Sequence, residues 1–300
     1  MLKIAFHPSY IHPLPERHRF PMEKYELLPQ QLLYEGTCEA ENFFEPKILN
    51  DKYYLAVHDA EYFYDFINLK LGQKEIRRTG FPLSRSLVHR ELLIAGGTLQ
   101  AAKYAIEYGV GMNIAGGTHH AYTNRGEGFC MLNDQAIAAK YLLQKGLAKQ
   151  ILIIDLDVHQ GNGTAEVFKD DPSVFTFSMH GAKNYPFKKE ESDLDIGLPN
   201  ETEDEVYLEK LKATLPNLLD LVQPDFVFYL SGVDVLATDK LGKLNLTIEG
   251  CKERDRFVLQ TLKDANLPVE ISMGGGYSEE IKFIIEAHAN TYRLVQKIWF

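Results

Sequence analysis

From Met112 onward the sequence alternates short apolar runs, rich in β-branched residues, with longer stretches of helical periodicity. No other feature restricts the fold so strongly. Strands are predicted over residues 112–115, 151–154, 174–179, 225–230 and 269–273, and helices over 134–145, 164–168, 203–222, 247–265 and 278–296. Strands that return after an intervening helix pair in parallel and carry helices on both faces. The expected fold class is therefore α/β, a three-layer open sheet of mostly parallel strands. The first half is less regular: a strand over 3–7, extended chain near 44–49, and helices over 22–35, 58–69 and from Ser84 or Ser86 to about 108. Pro29 and Pro216 are expected to kink or divide their helices, and Asp134 to serve as an N-cap. No repeat or linker divides residues 1–300, so one domain is expected.

Charge and cysteine usage narrow the function. A formal net charge of -10 excludes a general nucleic-acid binder, which needs basic patches to neutralise phosphates, and is compatible with a cationic substrate. Cys38, Cys130 and Cys251 are far apart and form no CxxC pair, which predicts a reduced, cytoplasmic chain. The start, Met1 to Pro8, has no signal-peptide core, and no apolar run is long enough to span a membrane.

The unusual residues fall where predicted strands end. Ile151–Ile154 runs straight into Asp155, Asp157 and His159, which share one face if the strand geometry persists. Two carboxylates after a buried strand are costly unless a cation or a partner compensates them. Three further strand exits carry Gly116-Gly117-Thr118-His119-His120, Ser231 to Asp234, and Gly274-Gly275-Gly276-Tyr277. Each has an ordinary reading alone: two loop histidines, a turn aspartate, a tight glycine backbone. Open α/β sheets build their sites at the carboxyl ends of the strands, so four such exits at one edge predict a site. The histidines of the proline-rich stretch 12–21 read instead as surface or rim groups.

Asp157, His159 and Asp234 offer two oxygens and a nitrogen, a donor set that suits a catalytic zinc but also Fe(II), Co(II) or Mn(II), and that leaves coordination positions open. His119 and His120 offer a general base and a general acid, and the Tyr277 phenol a hydrogen bond to an oxyanion. The chemistry predicted is metal-assisted amide hydrolysis.

Taken together, Gly116–Ala121, Gly128-Phe129-Cys130-Met131-Leu132-Asn133-Asp134, Asp155–Gly163 and Gly274–Tyr277 resemble the signature blocks of the zinc-dependent histone deacetylase family, in its order and approximate spacing. The resemblance covers most of the chain, including His18–Met22. It implies the arginase/deacetylase fold and removal of acetyl or longer acyl groups from lysine side chains. It implies zinc on Asp157, His159 and Asp234, with His119, His120 (the base) and Tyr277 catalytic, and Asp155 supporting His119. It also implies a structural potassium or sodium ion near Asp155, Asp157, His159, Ser178 and Met179, and a substrate tunnel walled by Phe129 and Tyr185. Cys130 reads as a small buried thiol rather than a reactive one.

One departure has a chemical consequence. Asn162 stands where many deacetylases carry Asp beside the second histidine. A neutral partner would not raise the imidazole pKa as a carboxylate would, so His120 is expected to be neutral near pH 7. The Gln160-Gly161-Asn162-Gly163 form resembles class IV deacetylases and their bacterial relatives. Two other readings stand beside this one: a hydrolase of acetylated polyamines or another small amide, which would use the same site, and a non-catalytic acyl-lysine binder.

Overall fold

The computed structural model describes all residues, Met1–Phe300. Eight strands form one sheet: β1 (Ile4–Ala5), β2 (Phe43–Phe44), β3 (Val110–Asn113), β4 (Ile151–Asp155), β5 (Val174–Gly181), β6 (Leu194–Leu198), β7 (Phe226–Leu230) and β8 (Val269–Ser272). Ten helices surround it: α1 (Lys24–Tyr34), α2 (Asp51–Tyr54), α3 (Ala60–Ile67), α4 (Gln73–Thr79), α5 (Arg85–Tyr108), α6 (Asp134–Gln144), α7 (Asn162–Phe168), α8 (Asp204–Val222), α9 (Ile248–Asp264) and α10 (Ile281–Trp299). The strand order is β2-β1-β3-β8-β7-β4-β5-β6, and every pairing is parallel. The expected α/β class holds, with the parallel character complete.

That order places a topological switch at the middle of the sheet. The chain leaves β4 towards β5 on one side and leaves β7 towards β8 on the other, although β4 and β7 are neighbours. Diverging connections open a crevice above the carboxyl ends of the two strands. Register aligns Asp155 with Leu230, so the segments beginning at Leu156 and Ser231 enter that crevice side by side.

The local signals mostly acted as expected. Ser84, not Ser86, caps α5 by accepting from the Leu87 amide at 3.1 Å, and Gly109 ends the helix at φ 87°. Neither proline divides its helix: α1 runs through Pro29 and α8 through Pro216. Each proline removes one backbone donor, while Leu28 and Leu32, or Leu211, Leu215 and Leu218, are buried against the body and keep the helix continuous. Asp134 is not the cap of α6. Asn133 accepts from the Ala136 amide at 3.1 Å, which leaves the Asp134 carboxylate free for another task. β3 begins two residues before the predicted strand. The edge strand β6 and the short helices α2 and α4 carry too little apolar periodicity to be predicted. No helix is long and apolar enough to cross a membrane.

Candidate active site

The crevice gathers the predicted residues. One donor atom each from Asp157, His159 and Asp234 lies within 4.8 Å of the others, and all three residues are buried. Asp157 Oδ1 is 3.0 Å and Asp234 Oδ2 3.1 Å from the same atom, His159 Nδ1. Both carboxylates are also fixed by backbone: Val158 N donates to Asp234 at 2.9 Å, and Gly275 N to Asp157 at 2.8 Å. Gly275 has to be glycine, because a Cβ there would lie 2.0 Å from Asp234 Oδ2 and 2.7 Å from Asp157 Oδ2. Burial opposes charging His159, but the hydrogen bonds to Asp157 and Asp234 carry its pKa up to about 10. Two carboxylates converging on one imidazole nitrogen, with no thiolate, form a set that fits a divalent cation.

The tandem histidines lie beside this cluster with ring centroids 4.1 Å apart, in unlike surroundings. His119 Nδ1 donates to Asp155 Oδ2 at 2.6 Å. Burial works against its charged form, but the Asp155 carboxylate outweighs that and the pKa is raised. His120 Nδ1 faces Asn162 Oδ1 at 2.5 Å. The amide orientation follows from its other end: Asn162 Nδ2 donates to Tyr122 Oη at 2.9 Å, and the Tyr122 hydroxyl donates to Glu190 at 3.2 Å. That relay makes Asn162 Oδ1 the acceptor and His120 Nδ1 the proton carrier, leaving Nε2 with its lone pair. Burial first, then the charges of His119 and His159, hold the His120 pKa well below the ordinary histidine value.

Tyr277 completes the rim of the cluster, its ring centroid 6.4 Å from that of His159. Burial and the Asp234 and Asp157 carboxylates push its phenol well above the usual range, so it stays a hydrogen-bond donor. Phe129 and Tyr185 line one cavity of about 310 Å³ with His120, His159 and Tyr277. Phe129 adopts a left-handed backbone, φ 68°, held because its amide donates to the Thr79 carbonyl at 2.7 Å. The Tyr185 ring stands edge-on to His120 at 5.0 Å, and its hydroxyl donates to Glu127 at 2.6 Å. A smaller space of about 40 Å³ shares His120, Phe129, His159 and Tyr277 and continues inward between Tyr25, Arg90 and Ile94. Ser178 pairs with Asp155 in the sheet, and Met179 follows it, buried. Cys130 is buried, and burial raises its thiol pKa well above the usual value.

The sequence reading missed several residues that build this geometry. Asp134, freed from capping, accepts from the Thr118 amide at 2.8 Å and hydroxyl at 2.6 Å, from the Gly117 amide at 3.2 Å and from Thr98 Oγ1 at 2.6 Å. It therefore fixes the loop that presents both histidines. Replacing it, as Asp134→Ala, is expected to lower stability by about 3 kcal/mol, since buried donors to a charged acceptor are left unpaired; chemical denaturation measures it. Lys24 is fully buried, donates to the Gly274 carbonyl at 3.1 Å and holds the glycine turn from behind. His58, predicted inside a helix, precedes α3 and joins the Tyr122 carbonyl, 2.9 Å, to the Asn133 amide, 3.0 Å. His12 is not a surface group; it is 2 % exposed and packs edge-on to Phe81. His18 is half-buried, with its ring 6.0 Å from that of Phe129.

Comparison with known proteins shows the family of the chain. The histone deacetylase domain matches residues 18–291. An uncharacterized protein of Picosynechococcus is 45% identical over 99% of each chain. Histone deacetylase 2 of Arabidopsis thaliana is 31% identical, over 89% of this chain and 72% of its own length. The acetoin utilization protein AcuC of Staphylococcus aureus is 29% identical, over 95% of this chain and 76% of its own. The crystal structure of a histone deacetylase homolog from Aquifex aeolicus superimposes with a TM-score of 0.84, over 97% of this chain and 82% of that one at 24% identity. The chain is a hydrolase belonging to the histone deacetylase family.

Proposed function

We propose that the chain, acting as one catalytic domain over residues 1–300, is a metal-dependent amide hydrolase that removes acetyl or other short acyl groups from lysine side chains. The observation that carries this reading is the split between the tandem histidines beside the Asp157–His159–Asp234 cluster. Environments that push two adjacent imidazoles apart assign a base and an acid. Asp157, His159 and Asp234 would hold zinc or Fe(II). A cation there supplies Lewis acidity to the scissile carbonyl and acidifies water. His120, neutral with Nε2 free, takes the proton from the attacking water. His119, kept protonated by Asp155, returns one to the leaving lysine amine. Tyr277 donates its phenolic hydrogen to the oxygen that gains charge. Phe129 and Tyr185 would flank the aliphatic lysine chain, and Asn162 sets the tautomer of the base. Asp155, Asp157 and His159, with Ser178 and Met179, are the proposed shell of a structural potassium or sodium ion. Within the family, the Gln160–Gly163 form supports kinship with class IV deacetylases and their bacterial relatives. Three free buried cysteines support a cytoplasmic setting.

Substrate size follows from the inner space. About 40 Å³ holds only a few heavy atoms. A panel of acyl-lysine peptides assayed with the zinc- or iron-reconstituted protein is expected to favour acetyl, propionyl and butyryl over myristoyl. Chelation should abolish turnover and metal should restore it. Turnover unaffected by chelation would sink the reading.

Its pH dependence is equally specific. A base whose pKa is depressed stays competent below the ordinary histidine range, so the acid limb of kcat/KM is expected below 6.5. Asn162→Asp places a carboxylate against Nδ1 and favours the imidazolium. The limb should move up by about 1 unit or more, and the rate near pH 7 should fall. An unmoved limb would assign the base elsewhere.

A further inference from the structure

The tunnel mouth carries a charge opposite to that of the molecule around it. The chain has a formal net charge of -10. Yet the outer cavity is lined by Arg19, Arg78, Lys183 and Lys243, beside Phe187 and Leu241, and by no Asp or Glu. Arg19, Lys183 and Lys243 are exposed. Their interactions leave the charges uncompensated: Arg19 lies over the Phe129 ring at 5.0 Å, and Lys243 donates to the Lys183 carbonyl at 3.0 Å. Arg78 reaches one carboxylate, Glu127 at 3.8 Å, which Arg125 already holds at 2.8 Å and Tyr185 at 2.6 Å. Glu127 thus serves two guanidiniums and a phenol, and has little negative potential to offer the mouth.

We infer that this basic collar selects acyl-lysines flanked by aspartate or glutamate, and disfavours acylated polyamines. The inference rests on the deacylase reading above and adds the substrate's chemical context to it. An acyl-lysine side chain is neutral, so its entry is indifferent to charge; the residues on either side of it remain at the rim. There, acidic flanks meet Arg19, Arg78, Lys183 and Lys243, and a concave mouth of one sign concentrates the opposite charge. An acylated polyamine brings its remaining ammonium groups into the same field and is repelled. The net acidity of the chain is compatible with a cationic substrate; the placement of four basic side chains at the mouth favours acidic flanks instead.

The test compares acetyl-lysine peptides of equal length flanked by Glu, Gln or Lys, together with free Nε-acetyl-lysine and an acetylated spermidine, on the metal-loaded full chain. The expected order of kcat/KM is Glu, Gln, Lys, with about tenfold between the ends, the sum of two or three exposed pairs. Most of the difference should lie in KM, and high salt should compress it. In the doubly substituted Lys183→Glu, Lys243→Glu protein the collar carries two charges of each sign, so the preference should collapse; because peptides are ranked within one variant, any loss of folded protein cancels. Equal turnover of the three peptides, or preference for the spermidine, overturns the collar while leaving the hydrolase reading intact. Free Nε-acetyl-lysine matching the acidic peptide overturns the peptide as the source of the carboxylate. No turnover of any acyl-lysine substrate overturns both.

Discussion

Tyr277→Phe is expected to lower kcat by about two to three orders of magnitude with little change in KM, the loss that follows removal of one oxyanion donor. The substitution isolates the hydroxyl because everything else that positions the ring survives it. The ring packs edge-on to Phe20 and tilted to Phe129, each with centroids 5.9 Å away. Its backbone amide donates to Asp239 at 2.6 Å, a bond that phenylalanine keeps. The thermal midpoint should therefore stay close to that of the parent. Steady-state kinetics on an acetyl-lysine peptide separate the outcomes: a rise in KM alone would make Tyr277 a wall of the tunnel and not a donor.

The second large effect is expected at the cluster. Asp234→Asn keeps the volume and the acceptor for the Val158 amide, which now lies 2.9 Å from Asp234 Oδ1. It removes one of two carboxylates that face His159. A neutral amide is a poor ligand, so metal affinity and turnover should each fall by about a hundredfold or more, beyond what loss of an outer supporting group causes. Two readouts check this independently of rate. Metal retained after dialysis should drop, and the rise in thermal midpoint on adding zinc should shrink, since stabilisation by a ligand follows its occupancy. A variant that retains metal and rate would show that another donor set is used.

Much of this architecture could be read from the chain before its structure. The Ile151–Asp155 strand was legible because β-branched residues stop abruptly at carboxylates, and the Gly274–Tyr277 turn because glycines follow another apolar run. Asp157, His159, Asp234, His119, His120 and Tyr277 announced themselves by being polar at strand exits. What escaped notice acts over long separations. Lys24 holds Gly274 across 250 positions, and Asp134 reads as a helix start until Thr118 and Gly117 are folded against it. Tyr122 and Glu190 look like ordinary loop residues, yet they orient Asn162. The edge strand β6 alternates half-buried and exposed residues around Gly197, too weak a pattern to separate from a loop. The basic collar was invisible for the same reason: its four members come from four distant segments and meet only at the cavity mouth.

The switch between β4 and β7 also bears on how the protein matures. His159 and Asp234 lie 75 positions apart, and they meet only after β5, β6 and α8 have been laid down and β7 has returned beside β4. Closing so large a loop is slow, and the β4–β7 pairing that brings them together forms only at the end of it. While β7 has not yet returned beside β4, Asp234 stands apart from Asp157 and His159, so the three donors come together only when the two central strands pair.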